Sequence, residues 1–175
     1  MLLLLLLLVV CIETRPLMAQ KLPENPNSGT TFELVGDEVG ESFAVFVSHH
    51  PKAQCVNSTT KTKICYQWEE VSILGLTARP DAGCSPEKHS LAGCAQGLTA
   101  FFQGQRLTNL TYAVSGNDKT ESVAKLKEKY AHPAIDTPEA TIWLSGNSVL
   151  SVVVGKATEV TNGPTLITFM IGASS

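Results

Sequence analysis

The feature that most restricts this chain is its punctuation. Short runs rich in Val, Ile, Thr, Leu and Phe recur along it, and each is closed within a few residues by Gly, Pro, Asn or Asp. Apolar runs of that length, bounded that way, are strands and turns. Strands are expected at 31–35, 42–48, 64–73, 72–78, 97–102, 107–114, 141–144, 149–154 and 165–171, with Gly36 and Asp37 marking a turn between the first two. The second of these runs, from Ser42 to Ser48, is rich in aromatic and β-branched residues. One segment breaks the pattern. Val123, Leu126 and Tyr130 fall at helical spacing, Asp118 stands at a cap position with Glu121 three residues on, and His132 and Pro133 follow. That is an amphipathic segment with a capping box and a terminator, so one short helix is expected near 119–131. Eight or so strands with turn-punctuated spacing mean an all-β domain, either a barrel or a β-sandwich. The sequence contains no visible internal repeat.

The N-terminus sets the compartment. Leu2 to Ile12 is almost unbroken apolar sequence, too short for the ~20 residues that one membrane span requires. Arg15 and Pro16 stop it, and Ala19 supplies a small residue before Gln20. A hydrophobic run followed by a small-residue site reads as a signal peptide over 1–19, leaving 20–175 as a single secreted domain with no membrane segment. Of the five cysteines, Cys11 leaves with the leader. Cys55, Cys65, Cys84 and Cys94 then form an even set in an oxidising compartment. Each of the pairs Cys55–Cys65 and Cys84–Cys94 brackets a polar loop, and this is the preferred one of three connectivities. Asn57-Ser58-Thr59 and Asn109-Leu110-Thr111 are N-glycosylation acceptors. The formal net charge of −3 is scattered, with no basic stripe for a nucleic acid.

Motifs for chemistry are sparse. The sequence holds no nucleophile elbow, no His-Glu-x-x-His and no phosphate-binding loop. His49 and His50 are adjacent, and in a strand adjacent side chains point to opposite faces, so they are read as solvated and not as metal ligands. His89 and His132 are read the same way, and Asp37-Glu38 and Glu69-Glu70 as ordinary exposed charges. No catalytic residue, metal or cofactor is assigned, and a non-enzymatic binding protein is expected. Trp68 and Trp143 lie in strand-like runs, where a tryptophan either packs the core or walls a ligand pocket.

A resemblance adds to this reading. Thr141-Ile142-Trp143-Leu144, then Lys156-Ala157-Thr158-Glu159-Val160, then Phe169 resemble the close of the avidin and streptavidin family. Gly29-Thr30-Thr31-Phe32, Leu74-Gly75-Leu76, Gly97 to Phe102 and Ser115-Gly116 resemble earlier strands of that family in the same order. The resemblance implies an eight-stranded antiparallel up-and-down barrel, often a homo-oligomer, with biotin in its mouth. Trp143 and Phe102 would then wall the ligand, Thr30 would replace a serine that hydrogen-bonds it, and Tyr112 and Asn162 would fall near it. The chain departs from the pattern where it matters. Gly155 replaces a pocket-closing tryptophan, Leu110 and Tyr112 replace small hydroxyls, and Asn25 and Asn27 are the only candidates for an early asparagine. Each lost polar contact costs roughly 1–3 kcal/mol, so biotin binding is expected to be weak or lost. The alternative function is a secreted interaction or defence glycoprotein that recognises a protein or glycan surface without a small ligand.

Overall fold

The computed structural model describes residues 29–78, 97–156 and 165–173. The expected leader 1–19, Cys84, Cys94, Asn162 and 157–164 of the family-like segment lie outside the described residues. The chain is mainly β. Its elements are β1 (Glu33–Leu34), β2 (Asp37–Glu38), α1 (Phe43–His49), β3 (Gln54–Asn57), β4 (Thr62–Gln67), β5 (Val71–Ile73), β6 (Leu76–Ala78), β7 (Gly97–Gln103), β8 (Arg106–Ser115), α2 (Thr120–Tyr130), β9 (Ile135–Asp136), β10 (Ala140–Leu144), β11 (Ser148–Lys156) and β12 (Thr165–Ala173).

Eight strands form one antiparallel sheet in the order β3-β4-β7-β8-β12-β11-β10-β9, while β1-β2 and β5-β6 are separate hairpins. An up-and-down barrel makes every strand the neighbour of the next. Here the succession breaks once: β8 pairs with β12, and α2 carries the chain away to β9 at the far edge. The strictly sequential order implied by the resemblance therefore does not hold. Among the described residues the ladder runs from β3 to β9 as its two edges.

The order is a palindrome. A helix and four strands, α1-β3-β4-β7-β8, are followed by a helix and four strands, α2-β9-β10-β11-β12, and the last strands of the two sets pair with each other. In both sets four residues separate the helix from its first strand, 50–53 and 131–134. The repeat is one of topology; the two sets share no sequence pattern that would announce it.

The ladder fixes which side chains share a face. Leu98, Ala100 and Phe102 of β7, Leu110, Tyr112 and Val114 of β8, Ile167, Phe169 and Ile171 of β12, and Leu150 and Val152 of β11 are all buried in one continuous core. They alternate with outward-facing residues, as a pleated strand requires. Tyr112 lies directly opposite Phe169 at the middle of the β8–β12 seam. Cys55 and Cys65 also face each other across β3 and β4, and they form the expected disulfide.

Two local structures matter for the site. The β1-β2 hairpin turns on Val35 and Gly36, both at positive φ (57° and 92°). That is the type I′ geometry whose twist matches a two-residue hairpin, and a β-branched residue rarely adopts it. The second is α1, where 42–48 was expected to be a strand. The segment is a helix because Ser42 caps it, its side chain accepting from the Val45 N–H, and because Phe43 and Phe46 recur at helical spacing. Both rings meet Phe102 of the sheet in edge contacts, with centroids 5.2 and 5.1 Å away. Tertiary packing of those two aromatics outweighs the β propensity of the two valines, Val45 and Val47, which are left exposed. The second helix lies where expected, although Lys119 rather than Asp118 occupies its cap position, and Asp118 instead accepts from the Thr120 N–H at 2.9 Å.

Candidate functional site

The site grows out of a buried carboxylate. Asp37, just past the β1-β2 turn, is fully buried, so an ionised side chain there must be matched by partners. The end of α1 supplies them. His49 is the last helical residue and His50 the cap that follows. At a helix end successive side chains need not diverge as they do in a strand, and both imidazoles converge on Asp37. His49 Nδ1 lies 2.9 Å from Oδ1, and His50 Nε2 lies 2.5 Å from Oδ2. His50 is itself buried and stacks at 4.6 Å on Phe46, while the His49 side chain is 41% exposed and opens the cluster to solvent. The readings of His49 and His50 as diverging, of His50 as solvated and of Asp37 as an exposed charge are thus overturned, while His49 is exposed as expected.

Glu41 and Tyr112 complete the group. Residues 40–43 are tied to the β7-β8 turn by Gly40 N–H to Leu107 O, Leu107 N–H to Glu41 O and Phe43 N–H to Gln105 O, at 2.8, 3.0 and 2.9 Å. Arg106 reinforces this by donating to Gly40 O at 2.9 Å. The tie delivers Glu41 to the cluster with its Oε1 buried and without a hydrogen-bond partner. Burial, and then the neighbouring Asp37 charge, push the Glu41 carboxyl up to about 7. The hydrogen bond to Asp37 raises the His49 imidazole above its ordinary value. Tyr112 comes from the centre of β8, 1% exposed, and feels the Asp37 carboxylate closely enough that burial and that charge drive its phenol strongly upward. Its hydroxyl nevertheless lacks a hydrogen bond of normal geometry.

Donor atoms of Asp37, Glu41 and His49 all lie within 4.8 Å of one another, a spacing at which one small cation reaches all three. Two carboxylate oxygens and an imidazole nitrogen are donors that zinc and related divalent ions accept. His50 stands behind Asp37 on its other oxygen, as outer partners of metal-binding groups do.

The residues that the sequence singled out are partly together. Trp143, Phe102 and Tyr112 share the inner face and the same core. Trp143 is fully buried, and its indole N–H donates to Ala131 O at 3.2 Å. Thr30 lies apart from them, in a surface depression of about 190 Å³ beside Ser145 and Asn147. Asn57 is exposed at the end of edge strand β3, and Asn109 is half-buried on the outer face of β8. A larger open depression of about 470 Å³ lies between the start of α2 and Thr137, and none of the expected ligand residues among the described ones lines it.

Sequence reasoning missed the Asp37 group because it depends on α1 being a helix. The signals were present: Ser42 as a cap, Phe43 and Phe46 three apart, and Pro51 just after His50. No family model, curated protein or solved structure matches the chain.

Proposed function

We propose that this is a secreted, non-catalytic binding protein whose ligand is a divalent metal ion of the zinc type, held by Asp37, Glu41 and His49. One observation carries the reading: a buried aspartate, a buried and unpartnered glutamate oxygen and a solvent-facing histidine converge within single-ion reach. The unpartnered, buried Tyr112 hydroxyl beside Asp37 supports it independently, because orphaned buried polar atoms mark a place where a further group is accommodated. His50 orients Asp37 from behind. The test is calorimetric titration of chelator-treated protein with zinc chloride. A single saturable event is expected, with His49→Ala and Glu41→Gln each weakening it at least tenfold and His50→Ala weakening it by about 10- to 100-fold through the outer partner. No saturable heat, or unchanged binding by His49→Ala, would overturn it.

A second reading keeps the small organic ligand that the avidin resemblance implies, with the sheet curled so that its inner face forms a mouth, on a strand order that is not that of an up-and-down barrel. It is favoured by Trp143, Phe102 and Tyr112 lying on one face. Biotin titration followed by tryptophan fluorescence separates the readings. A flat response is expected, whereas stoichiometric quenching would restore the mouth and remove the need for the ion.

A further inference from the structure

The outer face of the sheet carries an uncharged band with a glycosylation acceptor at its centre. The pairings align one residue from each of seven strands. Val56, Ile64 and Phe101 lie on one side of Asn109, and Gly172, Val149 and Leu144 on the other. The next row, through Thr111 and Met170, is also free of charged side chains, with Tyr66 and Ser151 in it buried, the former under Trp68. Seven strands at about 4.8 Å spacing make a band roughly 30 Å long. Val56 and Leu144 at its ends are each 41% exposed. Monomeric proteins seldom leave a contiguous apolar surface of several hundred Å² uncovered.

Asn109 and Thr111 stand on the same face because they are two apart in a strand, and the Thr111 hydroxyl donates to Asn109 Oδ1 at 3.1 Å. Phe101 is directly opposite Asn109 on one neighbouring strand. On the other neighbour stands Gly172, where even a β-carbon would come within 3.1 Å of the Asn109 amide nitrogen. The amide nitrogen thus leans over Gly172, whose missing side chain leaves it room for a sugar, while Phe101 stands on the strand to its other side.

We infer that Asn109 carries an N-linked glycan whose first N-acetylglucosamine starts over Gly172, and that this glycan is what covers the outer face. In the attachment the Asn109 amide nitrogen bonds to C1 of the sugar and loses one proton. The departing group is a polyprenyl diphosphate, which takes the electron pair of the broken C1–O bond. The sugar ring presents an apolar C–H face to the band and hydroxyls to water, so it converts an apolar band into a wetted one. The inference is independent of the metal site and rests on passage through a secretory pathway.

The test uses the full chain secreted from a eukaryotic host, with Asn57→Gln removing the other acceptor. Intact mass is expected to show one glycan, and light scattering to show a monomer. Adding Thr111→Ala removes the acceptor while leaving Asn109 in place, and is expected to raise self-association at least tenfold. Should that variant not be secreted, endoglycosidase trimming of the folded Asn57→Gln protein to a single sugar supplies the comparison, with increased self-association again expected. An Asn57→Gln protein secreted without a glycan overturns the inference, as does glycan-free or trimmed protein that remains as monomeric as the glycosylated form.

Discussion

At the scale of single residues, the molecule is organised around groups that are expensive to bury. Asp37 is tolerated in the interior because two imidazoles meet its two oxygens. Removing it by Asp37→Ala strips His49 and His50 of their acceptor, and a loss of about 3–5 kcal/mol is expected in denaturant unfolding of the metal-free protein. The same groups fix the sign of the pH dependence. Glu41 is raised from 4.5 to about 7 in the folded chain. Its protonated form is favoured by folding, so its contribution is complete below its unfolded value and is lost as pH climbs through the folded one. His49 is also raised, from 6.5, by its bond to Asp37, and its contribution is likewise lost on the alkaline side. Metal-free protein is therefore expected to be more stable near pH 5 than near pH 8, and Glu41→Gln is expected to flatten the curve between about 4.5 and 7. A wild-type stability that rises with pH across that window would refute the assignment.

At the scale of elements, the longer strands were legible and their partners were not. Turn punctuation located β7, β8, β10, β11 and β12 to within a residue or two, because each combines β-branched sequence with a polar or glycine boundary. Helix α2 was equally legible, since the spacing of Val123, Leu126 and Tyr130 has no strand interpretation. The short edge strands β3 and β9 went unread, and the runs 64–73 and 72–78, expected as two strands, are β4 and a β5-β6 hairpin that turns at Leu74 and Gly75. The costliest failure was α1, where local propensity and tertiary packing disagree and the packing of Phe43 and Phe46 on Phe102 prevails. That single misreading hid the whole candidate site, because its two histidines only converge at a helix end. The helix depends correspondingly on its cap: Ser42→Ala is expected to cost about 1 kcal/mol and, in the zinc titration, to weaken binding through loss of His49 positioning. The start of β7 makes a sharper demand. Gly97 sits at φ 124°, and a β-carbon there would lie 2.5 Å from Gln67 O. Gly97→Ala is expected to destabilise by about 1–3 kcal/mol or more, measured by thermal unfolding, by prising β4 from β7. At the sheet edge, replacing both Cys55 and Cys65 with alanine is expected to remove about 2–3 kcal/mol, the cost of reopening a short loop in the unfolded chain.

At the scale of the molecule, the two helix-plus-four-strand sets are joined along β8 and β12, and they share one core. Neither set buries its apolar face alone, so they are expected to unfold together. Trp68 follows β4 in the first set and Trp143 lies in the second, which gives each set its own reporter. The single-tryptophan variants Trp68→Phe and Trp143→Phe are expected to show coincident denaturation curves, provided each is compared with its own circular dichroism; separated midpoints would mean two independent units. Phe169→Ala, at the centre of the seam, is expected to cost about 3–5 kcal/mol and to shift both reporters equally. The palindrome was invisible in the sequence because packing asks only that the inner positions be apolar, which Tyr112 and Phe169 satisfy with different side chains.

The seam also imposes a schedule. Strand β8 ends at Ser115 and its partner β12 begins at Thr165, so fifty residues of synthesis (165 − 115) separate them. At about 5–20 residues per second, a ribosome takes roughly 3–10 s to cover that distance. Throughout that interval the longest strand of the sheet has no partner on one side, and an unpaired strand edge is a template for the wrong chain. A sugar added to Asn109 during translocation would stand guard on that strand before its proper neighbour exists. What looks in the finished protein like a covering for one face would have served first as a chaperone for one edge.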